Sequence, residues 1–447
     1  MLASSQAQSM TLVEAIKIAL EANPEIGQAI ANREAIEFEL RQARGLYLPS
    51  LDLEARAGPQ RYDSPSPGTA DETMLRREGN LVLSQLLFDG FNRRGEVERQ
   101  AARVDGASNR VYERSEFIAL AIVREYLEIG RLFEVVSLNE QNVAYHRKVT
   151  GQLTQGAENG ALSAADRQQA QERVFAAEAR LTAARQDLNA SRIHFNQLVG
   201  LPPGPEESAP TAARFVPESL DQAIGVARQN SPLVRIAQAD LDAVYALKKQ
   251  AAAGFYPKVG IEARARDGMD IEGIRGPLTD LRAELVVRWN LYRGGIDAAN
   301  FQEQVRRMDE ARFALDKAFR DIEEAVRLAW DTRVQEQIRN GQLKQQLGAT
   351  DQLVNAYSEQ FKVGERSLLD LLDTANTRIN AQVEVVTSNY AVRFADYRVL
   401  AAGGMLLSSL QIPAPKQANA YARDFVRDPG SLEGETAKRR SVPFSPN

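Results

Sequence analysis

The sequence predicts a mainly α-helical fold with a membrane β part, in which tandem-duplicated long α-hairpins are each preceded by a β-hairpin. Three observations predict it. An internal repeat runs through most of the chain, two long proline-free stretches carry apolar residues at helical spacing, and two pairs of short segments alternate apolar with charged residues.

The repeat is visible residue by residue. Thr11-Leu12-Val13-Glu14-Ala15-Ile16 aligns with Ser219-Leu220-Asp221-Gln222-Ala223-Ile224 at an offset of 208, which also pairs Pro24 with Pro232 and Pro49 with Pro257. Past a loop the offset becomes 204, pairing Leu87-Phe88-Asp89-Gly90 with Leu291-Tyr292-Arg293-Gly294 and holding through Gly160/Gly364, Asp166/Asp370 and Gly200/Gly404. A four-residue deletion in one loop explains the change. The organisation follows: a first repeat over 11–205, a linker over 206–217, a second repeat over 218–406 and a tail over 407–447, expected to wrap the outside or to be partly disordered.

Each repeat opens with short helices and then switches period from 3.6 to 2. Leu51, Leu53, Ala55 and Ala57 alternate with Asp52, Glu54 and Arg56, and Val259, Ile261, Ala263 and Ala265 alternate with Gly260, Glu262, Arg264 and Arg266. Second strands are expected over Leu81 to Phe88 and Leu285 to Tyr292, giving β-hairpins within 46–89 and 255–292. Pro-, Gly- and Asp-rich loops join them over 58–79 and 267–280. Strands of about ten residues with one apolar and one charged face are the pattern of transmembrane β-strands. Leu53, Ile261, Val287 and Trp289 fall on the apolar side, Val287 at mid-strand.

The helical hairpins occupy 90–200 and 294–404. No proline occurs between Gly68 and Leu201 or between Leu278 and Ile412, so nothing there interrupts a helix. Val97, Ala101, Val104, Val111, Ile118 and Ile122 recur mostly three and four apart, and Phe301, Val305, Met308, Leu315, Ile322 and Val326 do so in the second copy. This is a coiled-coil-like seam. One helix from Gly90 to Gln155 would reach about 100 Å. Gly160 and Gly364 supply the reversals, and Ser163-Ala164-Ala165-Asp166 and Ser367-Leu368-Leu369-Asp370 restart the helices as N-caps with an acid at the third position.

Four strands in lipid leave costly unpaired edges, and barrels close at about eight strands or more. The four must therefore pool with those of other chains; three chains supply a trimeric 12-stranded β-barrel. The bland alternative, half-buried hairpins packed on long helices in a coiled-coil scaffold or adaptor, stays open on periodicity alone.

Composition narrows the function. The net charge of −5 carries no basic stripe, which sets nucleic acid aside, and the chain has no cysteine and only His146 and His194 as histidines. Both histidines stand on helices without a second ligand at i±4, so satisfied or exposed side chains are expected, with no metal and no cofactor. No convergent acid–base set points to an enzyme. The residues Ala3 to Ser9 resemble the neighbourhood of a signal-peptidase site and equally an ordinary terminus.

The order of Leu48-Pro49-Ser50-Leu51, Gln85 to Gly90 and the tip Val363-Gly364-Glu365-Arg366-Ser367-Leu368-Leu369-Asp370 resembles the TolC-like outer-membrane efflux and secretion family over residues 11 to about 406. The resemblance implies a homotrimer in the outer membrane with a periplasmic α-barrel that tapers to a gated end. It implies a periplasmic adaptor and an inner-membrane ABC transporter or RND-type pump as partners, and outer-membrane lipid around the barrel. Its cargo is protein, through type I secretion, or small toxic molecules. The absent cysteine suits the non-lipidated, secretion-serving branch. The family's aperture acids match Asp370 and Asp373, although Asp370 also serves its cap. Its latch between the hairpin turns matches Asp166 and Arg366, with a solvated turn residue as the plain alternative for Arg366. Phe361 stands where that latch carries a tyrosine.

Overall fold

The computed structural model describes residues 10–63, 73–157, 164–203, 209–363 and 365–427. The first repeat begins with α1 (Leu12–Ala22) and α2 (Pro24–Gly45). Thr11 and Glu14 form a reciprocal capping box on α1, and Asn23 caps α2, whose Pro24 at the first position lacks only an N–H that would go unused. Then come β1 (Ser50–Arg61), β2 (Thr73–Phe88), α3 (Asn92–Ala157) and α4 (Ala164–Val199). The second repeat supplies α5 (Leu220–Asn230), α6 (Pro232–Ala252), β3 (Lys258–Ile271), β4 (Ile274–Arg288), α7 (Ile296–Lys362) and α8 (Leu368–Ala402). α9 (Leu406–Ser409) and α10 (Ala422–Arg427) follow and are the last elements among the described residues. With 66 and 67 residues, α3 and α7 are each about 100 Å long. Among the described residues no helix is long and apolar enough to cross a membrane.

The four strands form one antiparallel sheet in the order β1-β2-β3-β4, so β1 and β4 are both open edges. Register sorts the side chains by face. Leu51, Leu83, Ala263 and Ala283 lie opposite one another, as do Leu53, Leu81, Ala265 and Leu281, on the apolar face. Glu54, Asn80, Arg266 and Asp280 make a row on the other face, where Arg266 pairs with Glu78 at 2.8 Å and Arg288 with Glu262 at 2.8 Å.

The strand boundaries differ from those expected. The strands run 12 to 16 residues, not about ten, because backbone pairing continues beyond the stretch in which side chains alternate. The 267–280 segment is not a loop. Pairing continues to Ile271↔Ile274, and Glu272 and Gly273 turn the chain with φ of 55° and 77°, a two-residue reversal whose twist matches the strands. The Asp, Gly and Pro content of the segment gives a strand the composition of a loop. At the other end β4 stops at Arg288, so Trp289 and Leu291 lie past the strand, and the indole N–H of Trp289 donates to the Phe255 carbonyl at 3.3 Å. Val287 pairs with Val259, one step from the helix-proximal end, and is not mid-strand.

The main core sits where α1, α3, α4, α8 and α9 converge, around Leu12, Ile16, Ile122, Phe195, Leu400 and Leu406. There Glu116 is buried on α3 and accepts the N–H groups of Leu406 and Leu407, both at 3.0 Å, fixing the start of α9. Burial pushes its carboxyl up to about 7. The described part of the tail lies over α2, α3 and α6: Arg423 pairs with Asp105 at 2.8 Å and with Asp242 at 2.6 Å, and the Ala422 N–H donates to Asp105 at 2.7 Å.

A candidate gate at the hairpin tips

The tip of the second hairpin is set by its cap. Ser367 has extended backbone and its hydroxyl accepts the Asp370 N–H at 3.1 Å, satisfying one of the free donors that begin α8. The apolar residues behind the cap, Leu368 and Leu372, bury against Val149 and Ala170 of the first hairpin, with Tyr145 and Phe361 beside them. Phe361 therefore adds apolar contact where a tyrosine would bring a hydroxyl.

Asp370 is half-buried and Asp373 exposed, one turn apart on α8. They do not share a partner. Arg366 approaches Asp370 at 3.8 Å, an ion-pair distance too long for a hydrogen bond, and donates to Gln360 at 2.9 Å while its guanidinium covers the Tyr357 ring at 4.3 Å. Asp373 instead receives a hydrogen bond of 2.9 Å from Arg173 on α4. One turn further along α8 and two further along α4, Arg180 donates to Asn376. Arg366 is thus engaged within its own hairpin turn. Gly160, Gly364 and the side chain of Asp166 lie outside the described residues, so the expected contact of Arg366 with Asp166 does too.

Arg173 was not singled out from the sequence, although a signal existed. The 204 offset pairs it with Thr377, so a cation stands in one copy alone, a step from the acid that Gln169 replaces in the first copy.

His146 departs from the expectation of a satisfied or exposed side chain: it is buried on α3, and its Nδ1 has no hydrogen-bond partner. Burial first, and then Arg173 and Arg180, hold its pKa below the usual imidazole value. It is neutral in the fold, so stability is lost as pH falls through the unfolded value of about 6.5 toward the lower folded one. Thermal melts of the protein in detergent between pH 7 and pH 5 should show a smaller decline for His146→Leu than for the parent. An identical decline would show that His146 does not titrate with unfolding. His194 is exposed.

Comparison with known proteins accords with this architecture. A family described as "Outer membrane efflux protein" matches residues 15–201 and 223–404, one match to each repeat. The chain is similar to the outer membrane efflux protein BepC of Brucella suis, 24% identical over 426 residues that cover 94% of this chain and 91% of BepC. It is similar to the alkaline protease secretion protein AprF of Pseudomonas aeruginosa, 23% identical over 406 residues that cover 87% and 83% of the two chains. Its fold matches the crystal structure of the outer membrane protein VceC from Vibrio cholerae with a TM-score of 0.76 and 17% identity, covering 88% of this chain and 96% of VceC. With the family match accounting for both repeats of the duplicated fold described above, the chain belongs to the outer membrane efflux protein family, channels of the outer membrane that conduct and do not catalyse.

Proposed function

We propose that three copies of this chain close into one duct, a twelve-stranded barrel in the outer membrane continued by a periplasmic α-barrel, which carries protein cargo outward in a type I secretion system. A periplasmic adaptor and an inner-membrane ABC transporter supply docking and energy, and the duct itself is passive.

The observation that carries the assembly is an unmatched half of an interface. Within the chain, the first repeat packs on the second: a Cβ on Gly90 would lie 2.8 Å from the Tyr256 Cβ and 2.9 Å from the Ala253 carbonyl, and Lys249 pairs with Glu98 at 2.6 Å. The offsets carry Gly90 to Gly294, Tyr256 to Leu48 and Ala246, whose carbonyl would lie 3.1 Å from a Cβ on Gly95, to Phe38. In one chain Gly294 has open space around its Cβ direction, Leu48 is 70% exposed and Phe38 57% exposed. The second repeat's forward face and the first repeat's backward face are complementary by the same rule that joins the repeats, so chains add head to tail until the ring closes. The two open sheet edges require the same neighbours. Leu48→Asp should therefore release monomers from a detergent-purified trimer, read by light scattering. A parent chain that stays monomeric in detergent-free buffer would overturn the duct.

At the tips, the acids Asp370 and Asp373 form the aperture carboxylates, three of each around the opening. The turns at Gly160 and Gly364, with Asp166 and Arg366, form the latch region. Protein cargo is supported by the absence of cysteine and by the likeness to a protein named for protease secretion. The likeness to BepC, named an efflux protein, favours a second reading: small-molecule efflux with an RND-type pump. Deleting the gene separates them. Loss of a protein from the culture medium at unchanged drug tolerance supports secretion, and drug sensitivity with an intact secreted protein profile supports efflux.

A further inference from the structure

We infer that Arg173 is a positioning residue of the gate, holding α8 against α4 through Asp373 and at the same time neutralising one of the two aperture carboxylates. This rests on the reading of Asp370 and Asp373 as gate acids.

The contact joins the two repeats. Arg173 sits on α4 of the first and Asp373 on α8 of the second, 2.9 Å apart, and the Arg180 to Asn376 hydrogen bond repeats the connection one turn on along α8 and two along α4. Phe361, lacking a hydroxyl, leaves the turn itself without a polar tie from that position. The ion pair is partly exposed, with side-chain accessibilities of 28% and 54%, so one pair alone is weak. Around a closed ring three such pairs act together, because no α8 can swing out until its own pair breaks.

The duplication shows that the tie is a local addition. At the equivalent seam between chains, Thr377 stands in the place of Arg173 and Gln169 of the partner subunit in the place of Asp373. Glu384 stands in the place of Arg180 and Glu172 of the partner subunit in the place of Asn376. These equivalent positions carry no opposite charges and set glutamate against glutamate, so the same tie does not recur there and the ring has three such locks and not six. Arg366 stands 3.8 Å from Asp370, whereas Arg173 hydrogen-bonds Asp373, so in the closed ring Asp370 is the carboxylate more available to a cation.

Planar-bilayer recordings of the full-length trimer test this. Arg173→Gln should raise the resting conductance several-fold and increase cation preference, since it frees both α8 and the Asp373 charge. Exchanging the charges, Arg173→Asp with Asp373→Arg, should return the conductance to the parental level. Thr377→Ala, at the seam where this tie does not recur, should change nothing. Parental conductance and selectivity in Arg173→Gln would overturn the lock. Should that variant fail to assemble, the exchanged pair decides: parental conductance supports the lock, and conductance as high as in Asp373→Asn overturns it. Asp370→Asn serves the underlying reading, because weaker block by trivalent lanthanum is expected whether or not the lock exists. Unchanged lanthanum block in Asp370→Asn and in Asp370→Asn with Asp373→Asn would place the gate elsewhere.

Discussion

Leu83→Arg is expected to remove most of the protein from the outer membrane. Leu83 lies on β2, a strand paired on both sides, opposite Leu51 and Ala263, on the apolar face and well in from the Phe88 end of β2. An arginine there must leave its charge in hydrocarbon or drag water and headgroups toward it, which costs about 2–4 kcal/mol at the midplane of a barrel. Every chain of a symmetric assembly bears the same cost. Val287→Arg is the matched control. Its side chain is on the same face but one pair from the periplasmic end of β4, where the cost drops to about 0–1 kcal/mol because the guanidinium reaches the interface. Fractionation with quantification of heat-resistant trimer should show loss for Leu83→Arg and near-parental levels for Val287→Arg. Equal levels for both would mean that this face does not meet lipid.

Arg93→Ala should be the most damaging single change at the junction between barrel and helices. Arg93 and Asp89 are both buried and bonded at 3.2 Å; the guanidinium also donates to the carbonyls of Leu86 at 2.8 Å, Leu87 at 3.1 Å and Leu46 at 3.3 Å, and stacks on the Tyr47 ring. One side chain thus ties the end of β2 to the entry of β1 as α3 begins. Removing it leaves the buried Asp89 carboxylate without its cation and takes a charged donor from three carbonyls, and breaking one side of a buried pair costs about 3–5 kcal/mol. Arg93→Lys keeps the charge but not the planar fork, so its loss should be intermediate. Thermal dissociation of the trimer should rank parent, lysine, alanine. An alanine variant as stable as the parent would mean the junction is held by the sheet alone. The second repeat carries the same pair with its charges exchanged, Arg293 with Asp297 at 3.1 Å, which argues that the bridge and not the sign is what the junction needs.

Much of this was readable from residues one at a time or in short windows. The proline-free stretches and the three-and-four spacing of Val97, Ala101 and Val104 specify long helices, because helical pairing is local and breaks only at residues that cannot take part in it. Alternation at Leu51 to Ala57 specifies a two-faced strand for the same reason. The sheet's extent was not readable. Thr73 to Asn80 and Ile274 to Asp280 pair by backbone groups that every residue but Pro277 carries in full, so their Gly, Pro and Asp content reads as loop until a partner strand is in place.

The site divides along the same line. That the tip carries a cap, two acids a turn apart and a reversing glycine follows from the sequence by itself, since each is a property of neighbours along the chain. Which acid meets which cation does not. Arg173 and Asp373 are 200 residues apart, and only the packing of α4 against α8 decides that they touch, while Arg366 folds back on Tyr357 and Gln360. Nor could the sequence say that His146 would be buried without a partner for Nδ1, because burial on a helix is decided by what the neighbouring helix brings to it. The sequence determined the elements and the duplication that repeats them; the tertiary structure decided the pairings between the repeats, because contacts across 200 residues depend on three-dimensional register and not on order along the chain.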